Sequence, residues 1–217
     1  MNYSSSVQNL MARQHLSTLG TFTIDGVPVM KNAVDIVIYW QIVEKTKPDT
    51  IVEIGSRFGG SAMMFARLQE ICDVRSTVIS VDIDMRQIST FASGLGIYFV
   101  EGDSLDLGVF GRVKSACDEY GEKVMVVHDG QHAAEHVLAD LKLYHQLVTV
   151  GQYLVVEDTI MDVFPGAPIR QTPGPLAGVD RFLEWMQGAE QLFLRDKTFE
   201  NLYQTTYNPG GFLQRVS

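Results

Sequence analysis

Two cysteines, Cys72 and Cys117, are too few for a disulfide framework and stand in no metal-type spacing, which reads as buried thiols in a reducing compartment. No apolar run approaches the length needed to cross a bilayer, so no membrane partner is expected. Met1 to Gln8 is polar and lacks the charged-then-apolar order of a secretory leader, and a cytoplasmic location is expected. Basic residues are scarce: 17 Lys and Arg face 26 Asp and Glu, a net charge of −9 that disfavours nucleic acid or an anionic membrane surface. Internal repeats, low-complexity tracts and interdomain linkers are lacking too, so 217 residues fit one domain. What is plentiful is apolar material, 46% of the chain, enough for a sizeable core.

The chain is organised around Ile51-Val52-Glu53-Ile54-Gly55-Ser56-Arg57-Phe58-Gly59-Gly60-Ser61. A short apolar run carries an acid, a turn follows, and from Ala62 to Leu68 the residues suit a helix. Strand, glycine-rich turn and helix start make the first βα unit of a doubly wound sheet. Glycines let a ligand lie against the backbone, and free N–H groups at a helix start attract a negative group. Two familiar glycine loops are excluded. A dinucleotide fingerprint needs glycine where Arg57 stands, and a phosphate-cradling loop needs a lysine between Gly60 and Ser61. What remains is Glu-x-Gly-x-x-x-Gly-Gly-Ser, whose acid suits a ligand carrying an ammonium group. S-adenosylmethionine has that group, with a carboxylate and a ribose besides.

Residues 1–30 read as a preamble, with a short helix over Ser6 to Leu19 and an alternating Thr21–Ile24 before the Asp25-Gly26 turn. It either packs on the domain or walls the substrate pocket. Residues 31–217 read as one domain, opening on an amphipathic helix from Lys31 to Lys45. A second buried strand, Thr77 to Ile83, brings Asp82 to its end 22 positions after Gly60, close to the ~20-residue interval at which an acid meets a ribose diol. Ile97 to Val100 is a third strand, after which Asp103 is placed to accept from an adenine amino group. Ser104 is expected to cap a helix running from Leu105 to Tyr120. Val124 to Asp129 and Tyr153 to Asp158 are the fourth and fifth strands, with a helix over His132 to Leu147 between them. Strands alternating with helices give a mostly parallel sheet covered on both faces, its site at the carboxyl ends of the strands. Residues 162–178, rich in Pro and Gly, read as an active-site loop, followed by a helix from Gly178 to Gln187. Gln191 to Phe199 and Gly211 to Val216 read as a terminal hairpin that sets an antiparallel strand into the sheet.

Asp129, Glu157 and Asp158 lie at the ends of two strands that should be neighbours. Three converging carboxylates would repel one another unless a cation lay between them, and an all-oxygen set suits Mg²⁺ or another hard divalent cation. The alternative is ordinary strand-end caps. His132, three residues after Asp129, is placed either as a general base or as a solvent-exposed first-turn residue, and His128 reads as structural.

Together Glu53 and Gly55 with Gly59-Gly60-Ser61, Val81-Asp82-Ile83-Asp84, Gly102-Asp103-Ser104, Asp129 with His132, and Leu154 to Asp158 resemble the cephalosporin hydroxylase family. Despite that name its members look like class I S-adenosylmethionine-dependent methyltransferases with a Mg²⁺ site, found in natural-product pathways. The resemblance runs from Gly26-Val27-Pro28 with Lys31 to Gly210-Gly211-Phe212-Leu213. It implies a Rossmann-like methyltransferase sheet, metal ligands at Asp129, Glu157 and Asp158, and cofactor contacts at Glu53, Gly55, Ser61, Asp82 and Ser104. Ser56, Arg57, Gly60, Asp103 and Asp129 complete the expected cofactor site, and Asp129 and His132 the catalytic pair. His128-Asp129-Gly130 departs from the family, where an apolar residue precedes the acid and Ser or Asn often follows it. The implied reaction is metal-assisted O-methylation of a small-molecule diol or catechol-like hydroxyl, by a homo-oligomer. Metal-assisted hydroxylation and non-catalytic cofactor binding are the rival readings.

Overall fold

The computed structural model describes residues 20–75, 77–89, 95–163, 173–187 and 192–217. The expected helix over Ser6 to Leu19 lies outside them, as does the middle of the 162–178 loop. Seven strands form the sheet: β3 (Thr50–Ile54), β4 (Thr77–Asp82), β5 (Ile97–Glu101), β6 (Val124–His128), β7 (Tyr153–Val156), β8 (Phe193–Arg195) and β9 (Phe212–Arg215). Their order is β5-β4-β3-β6-β7-β9-β8, parallel from β5 to β7, with β9 antiparallel to both β7 and β8. A two-stranded ribbon, β1 (Thr23–Ile24) and β2 (Val27–Pro28), stands apart from the sheet.

Alternation along each strand sorts the core into two layers. Val52, Ile54, Val124, Val126, Leu154 and Val156 face one layer, with Phe110 of α3 (Leu107–Tyr120), Leu141 of α4 (Ala134–Tyr144) and Phe182 of α6 (Pro175–Gln187). Ile51, Met125, Val127, Tyr153 and Val155 face the other, with Tyr39 of α1 (Ala33–Thr46), Phe65 of α2 (Gly60–Ile71) and Phe199 of α7 (Thr198–Tyr203). Helices thus cover both faces of a mostly parallel sheet, the architecture the strand–helix alternation predicts.

Three expected details differ. Helix α3 starts at Leu107, capped by Asp106, whose carboxylate accepts from Gly108 N at 2.8 Å and Val109 N at 3.0 Å. A second capping residue two positions downstream therefore wins over Ser104. The strand expected over Gln191 to Phe199 stops at Arg195, because Asp196 accepts from Thr198 N at 2.8 Å and turns the chain into α7. Phe199 then reaches the core from a helix, while β8 and β9 form the expected antiparallel hairpin with α7 in its connection. Asp162, expected in the loop, belongs to the short helix α5 (Ile160–Val163), and its carboxylate accepts from Gly174 N and Leu176 N, each at 2.7 Å, at the start of α6.

Candidate active site

The glycine stretch connects β3 to α2 through three left-handed residues, Gly55 (φ 101°), Arg57 (φ 45°) and Gly59 (φ 82°). Gly55 and Gly60 are held by close approach: a Cβ on Gly55 would lie 2.2 Å from the Asp129 carbonyl oxygen, and one on Gly60 2.0 Å from that of Pro28. The loop closes over Asp82, whose Oδ2 accepts from Ser56 N at 2.9 Å and Arg57 N at 2.8 Å. A cavity of about 540 Å³ opens at the carboxyl ends of the strands, and every residue expected in the site except Glu53 lines it. Pro28, Val29 and Met30, from the ribbon and the turn after it, form part of its wall.

Glu53 lies beneath the loop. Strand alternation turns it toward the layer that α2 covers, where it is fully buried and accepts from the Ser80 hydroxyl at 2.5 Å. Ser80 in turn lies 2.6 Å from the Ser56 hydroxyl, so Glu53 reaches the loop through two hydroxyls. Burial raises its carboxyl above the ordinary value, and Lys31, Ser61 and Ser80 pull against that. Asp103 Oδ1 accepts from Leu105 N at 2.9 Å, and Ser104 offers its carbonyl to the Tyr144 hydroxyl at 3.0 Å.

The acids divide into two groups about Asp129. Asp129 Oδ1 lies 3.7 Å from His132 Nε2, and Asp158 Oδ2 lies 3.6 Å from the same nitrogen. Ligand-capable atoms of these three residues all fall within 4.8 Å of one another. His132 Nε2 is buried without a hydrogen-bond partner among the described residues, so it is aimed at the space the carboxylates share. Glu157 faces the other way. It follows Val155 by two, so alternation sends it toward α1, where Tyr39 donates to it at 2.6 Å and Lys31 Nζ lies 2.8 Å away. Two of the three expected metal carboxylates thus converge with His132, and the third is engaged by Lys31 and Tyr39. Asp158 leaves the strand with φ 56°, which turns its carboxylate out of the alternation and into the cavity.

Lys31 also contacts Asp129 Oδ2. Burial pushes the Asp129 carboxyl up, but Lys31 and His132 outweigh it and hold it down at about 2. Burial and the Asp129 charge push Asp158 up to about 6, and burial, again with Asp129, raises Glu157 above its ordinary value while Lys31 and Tyr39 pull against it. Burial lowers the His132 imidazole, which Asp129 and Asp158 more than offset. Lys31 stands among the cavity residues although sequence reasoning gave it no role; a cation just before a helix start, where the dipole opposes it, was the available signal. His128 is structural as expected: it is buried with Nε2 2.9 Å from Asp140 Oδ2.

Asp35 was also missed, since an acid in a first helical turn looks like an ordinary dipole partner. It is buried and accepts from the Thr206 hydroxyl and, at 3.0 Å, from Tyr207 N. Burial lifts its carboxyl from 3.8 to about 6 despite those bonds. The folded protein therefore holds this proton more tightly than the unfolded chain, and stability falls as pH rises through that window. Asp35→Asn removes the buried charge but turns an NH2 toward one of the two donors, so its effect on stability should be more favourable near pH 8 than near pH 4 by about 1–2 kcal/mol. Urea denaturation at both pH values checks this; a difference independent of pH would refute it.

Residues 17–216 match the rhamnosyl O-methyltransferase/CmcI family. The chain belongs to that family. The rhamnosyl O-methyltransferase of Mycobacterium leprae (strain TN) is 31% identical over 195 residues, 90% of this chain and 83% of the relative. A solved structure of CmcI with Mg and SAM has a TM-score of 0.72 at 24% identity, over 93% of this chain and 79% of its own. MycE, a methyltransferase from the mycinamycin biosynthetic pathway in complex with Mg and SAH, has a TM-score of 0.57 at 16% identity, over 87% of this chain and 56% of its own. Identities this low carry the fold alone for the two structures. The family is the one the motifs resemble, and with it the chain is a methyltransferase of the rhamnosyl O-methyltransferase/CmcI family; hydroxylation is set aside.

Proposed function

We propose that the chain transfers a methyl group from S-adenosylmethionine to a hydroxyl of a sugar or other small natural product carrying adjacent hydroxyls, with Mg²⁺ or another hard divalent cation held by Asp129 and Asp158. The observation that carries the reading is the convergence of Asp129, Asp158 and His132 within 4.8 Å beside the glycine loop. Two carboxylates facing one space fit a hard divalent cation, and His132 Nε2, with no hydrogen-bond partner among the described residues, is left free beside them. The relatives named for rhamnosyl methylation favour a sugar diol over a catechol as acceptor.

The residues divide the work along the cavity. Asp82, fixed by two loop amides, would offer its remaining acceptor capacity to a ribose diol, and Asp103 and Ser104, which line the same cavity, would hold the base. Gly55 and Gly60 let the loop pack directly on the Asp129 and Pro28 backbone and so shape that end of the cavity. When bound, S-adenosylmethionine would supply the methyl group, and a divalent cation would supply Lewis acidity toward an acceptor hydroxyl. His132 Nε2 is placed to take that proton, and Asp129 and Asp158 stabilise the imidazolium that results.

The test is methyl transfer from S-adenosylmethionine to a panel of rhamnosyl glycosides, other diols and catechols, read by mass spectrometry with EDTA and with Mg²⁺ restored. Transfer to a diol that EDTA abolishes and Mg²⁺ restores is expected. Undiminished turnover in EDTA would remove the metal from the reading, and cofactor binding without transfer to any acceptor would remove the enzyme.

A further inference from the structure

Lysine is almost never buried unless its charge is matched, and the Lys31 side chain is only 2% exposed. Its ammonium reaches Asp129 Oδ2 and, at 2.8 Å, Glu157 Oε2, and Tyr39 donates to the other oxygen of Glu157. Asp129 is therefore shared. One oxygen is bound to the ammonium, and the other is on the side where His132 and Asp158 converge. Any cation held by Asp129 and Asp158 meets a fixed positive charge across a single carboxylate.

We infer that Lys31 is a built-in competitor of the divalent cation: it neutralises Asp129 and Glu157 itself and thereby weakens the hold of the site on the ion. The inference rests on reading Asp129 and Asp158 as the residues that hold the cation. Its physical basis is charge. Removing one positive charge a few ångströms from a divalent ion strengthens that ion's binding, because little solvent lies between them to screen it. It gives Lys31 a positioning role that a plain structural ion pair would not have. A structural pair, once broken, leaves the protein less stable and the ion no better bound.

The experiment is a calorimetric titration of the full chain with MnCl₂ and with MgCl₂, with no acceptor and no turnover involved. Lys31→Met should lower the melting temperature in EDTA yet bind Mn²⁺ tighter by about tenfold or more. Lys31→Arg, which keeps the charge, should stay near wild type. Since Lys31→Met leaves two buried carboxylates unmatched and can unfold, the pair Glu157→Gln and Lys31→Met/Glu157→Gln repeats the comparison with one carboxylate neutralised. The double variant should bind Mn²⁺ more tightly than Glu157→Gln alone. If neither wild type nor Lys31→Met nor the double variant binds either ion, the reading of the site falls and this inference with it; binding by the Lys31 variants alone would support the inference. Wild-type binding without tightening in either comparison would overturn the role of Lys31 alone.

Discussion

Asp158→Asn is expected to lower methyl transfer by about a hundredfold to a thousandfold while leaving S-adenosylmethionine affinity nearly unchanged. Asparagine is chosen for the backbone. Asp158 has φ 56°, a left-handed conformation that Asn tolerates better than Ala, so the substitution removes charge without adding strain. Its amide also keeps the bond from Asp158 N to Asn208 Oδ1, at 2.9 Å, that anchors the turn. What is lost is one of the two carboxylates that face His132, and with it the negative charge that holds a cation and steadies a protonated imidazole. Side-by-side kinetics and calorimetry with S-adenosylhomocysteine check both halves. An Asn variant with wild-type turnover would reduce Asp158 to a strand-end cap.

Gly55→Ala should be a severely damaging change. Its Cβ would meet the Asp129 carbonyl carbon at 2.6 Å and the oxygen at 2.2 Å, both backbone atoms that no rotamer change can move aside. The residue also sits at φ 101°, where alanine is strained on its own account. Relief requires β3 and the segment after β6 to separate, although Asp129 N donates to the Ile54 carbonyl at 2.8 Å to hold them together. A loss of about 3 kcal/mol or more is expected, with cofactor binding lost alongside, because the same movement displaces Ser56 and Asp129. Urea denaturation and calorimetry measure the two effects. A variant as stable as wild type would mean that the seam between these segments is looser than its contacts imply.

The parallel sheet was legible because β3, β4, β6 and β7 are largely apolar runs buried along their lengths, with helical stretches after β3 and β6. The loop and strand-end acids were legible for the same reason, since topology alone brings strand ends together. Direction was harder. Glu157 and Asp158 are adjacent in the chain, and only alternation combined with the left-handed turn at Asp158 shows that one carboxylate meets Lys31 and the other meets His132. Lys31 itself lies 98 residues from Asp129, and no local pattern joins them. Asp106 and Asp196 show the limit on boundaries: a cap or turn residue two positions away moves an element's end without leaving a mark in the hydrophobic pattern.

The place of β9 between β7 and β8 fixes an order of events during synthesis. Residues 153–156 leave the ribosome well before residues 212–215, so the nascent chain can assemble β3, β4, β5, β6 and β7 while one long flank of β7 still has no neighbour. That flank belongs to a strand buried on both faces, which makes it adhesive toward any other extended segment nearby. β8 emerges earlier than β9 but has no docking surface until β9 arrives, because β9 is its partner in the sheet. Overproduction that outruns chaperone capacity should therefore trap chains at this stage, and slower translation across residues 157–212 should lengthen the exposure.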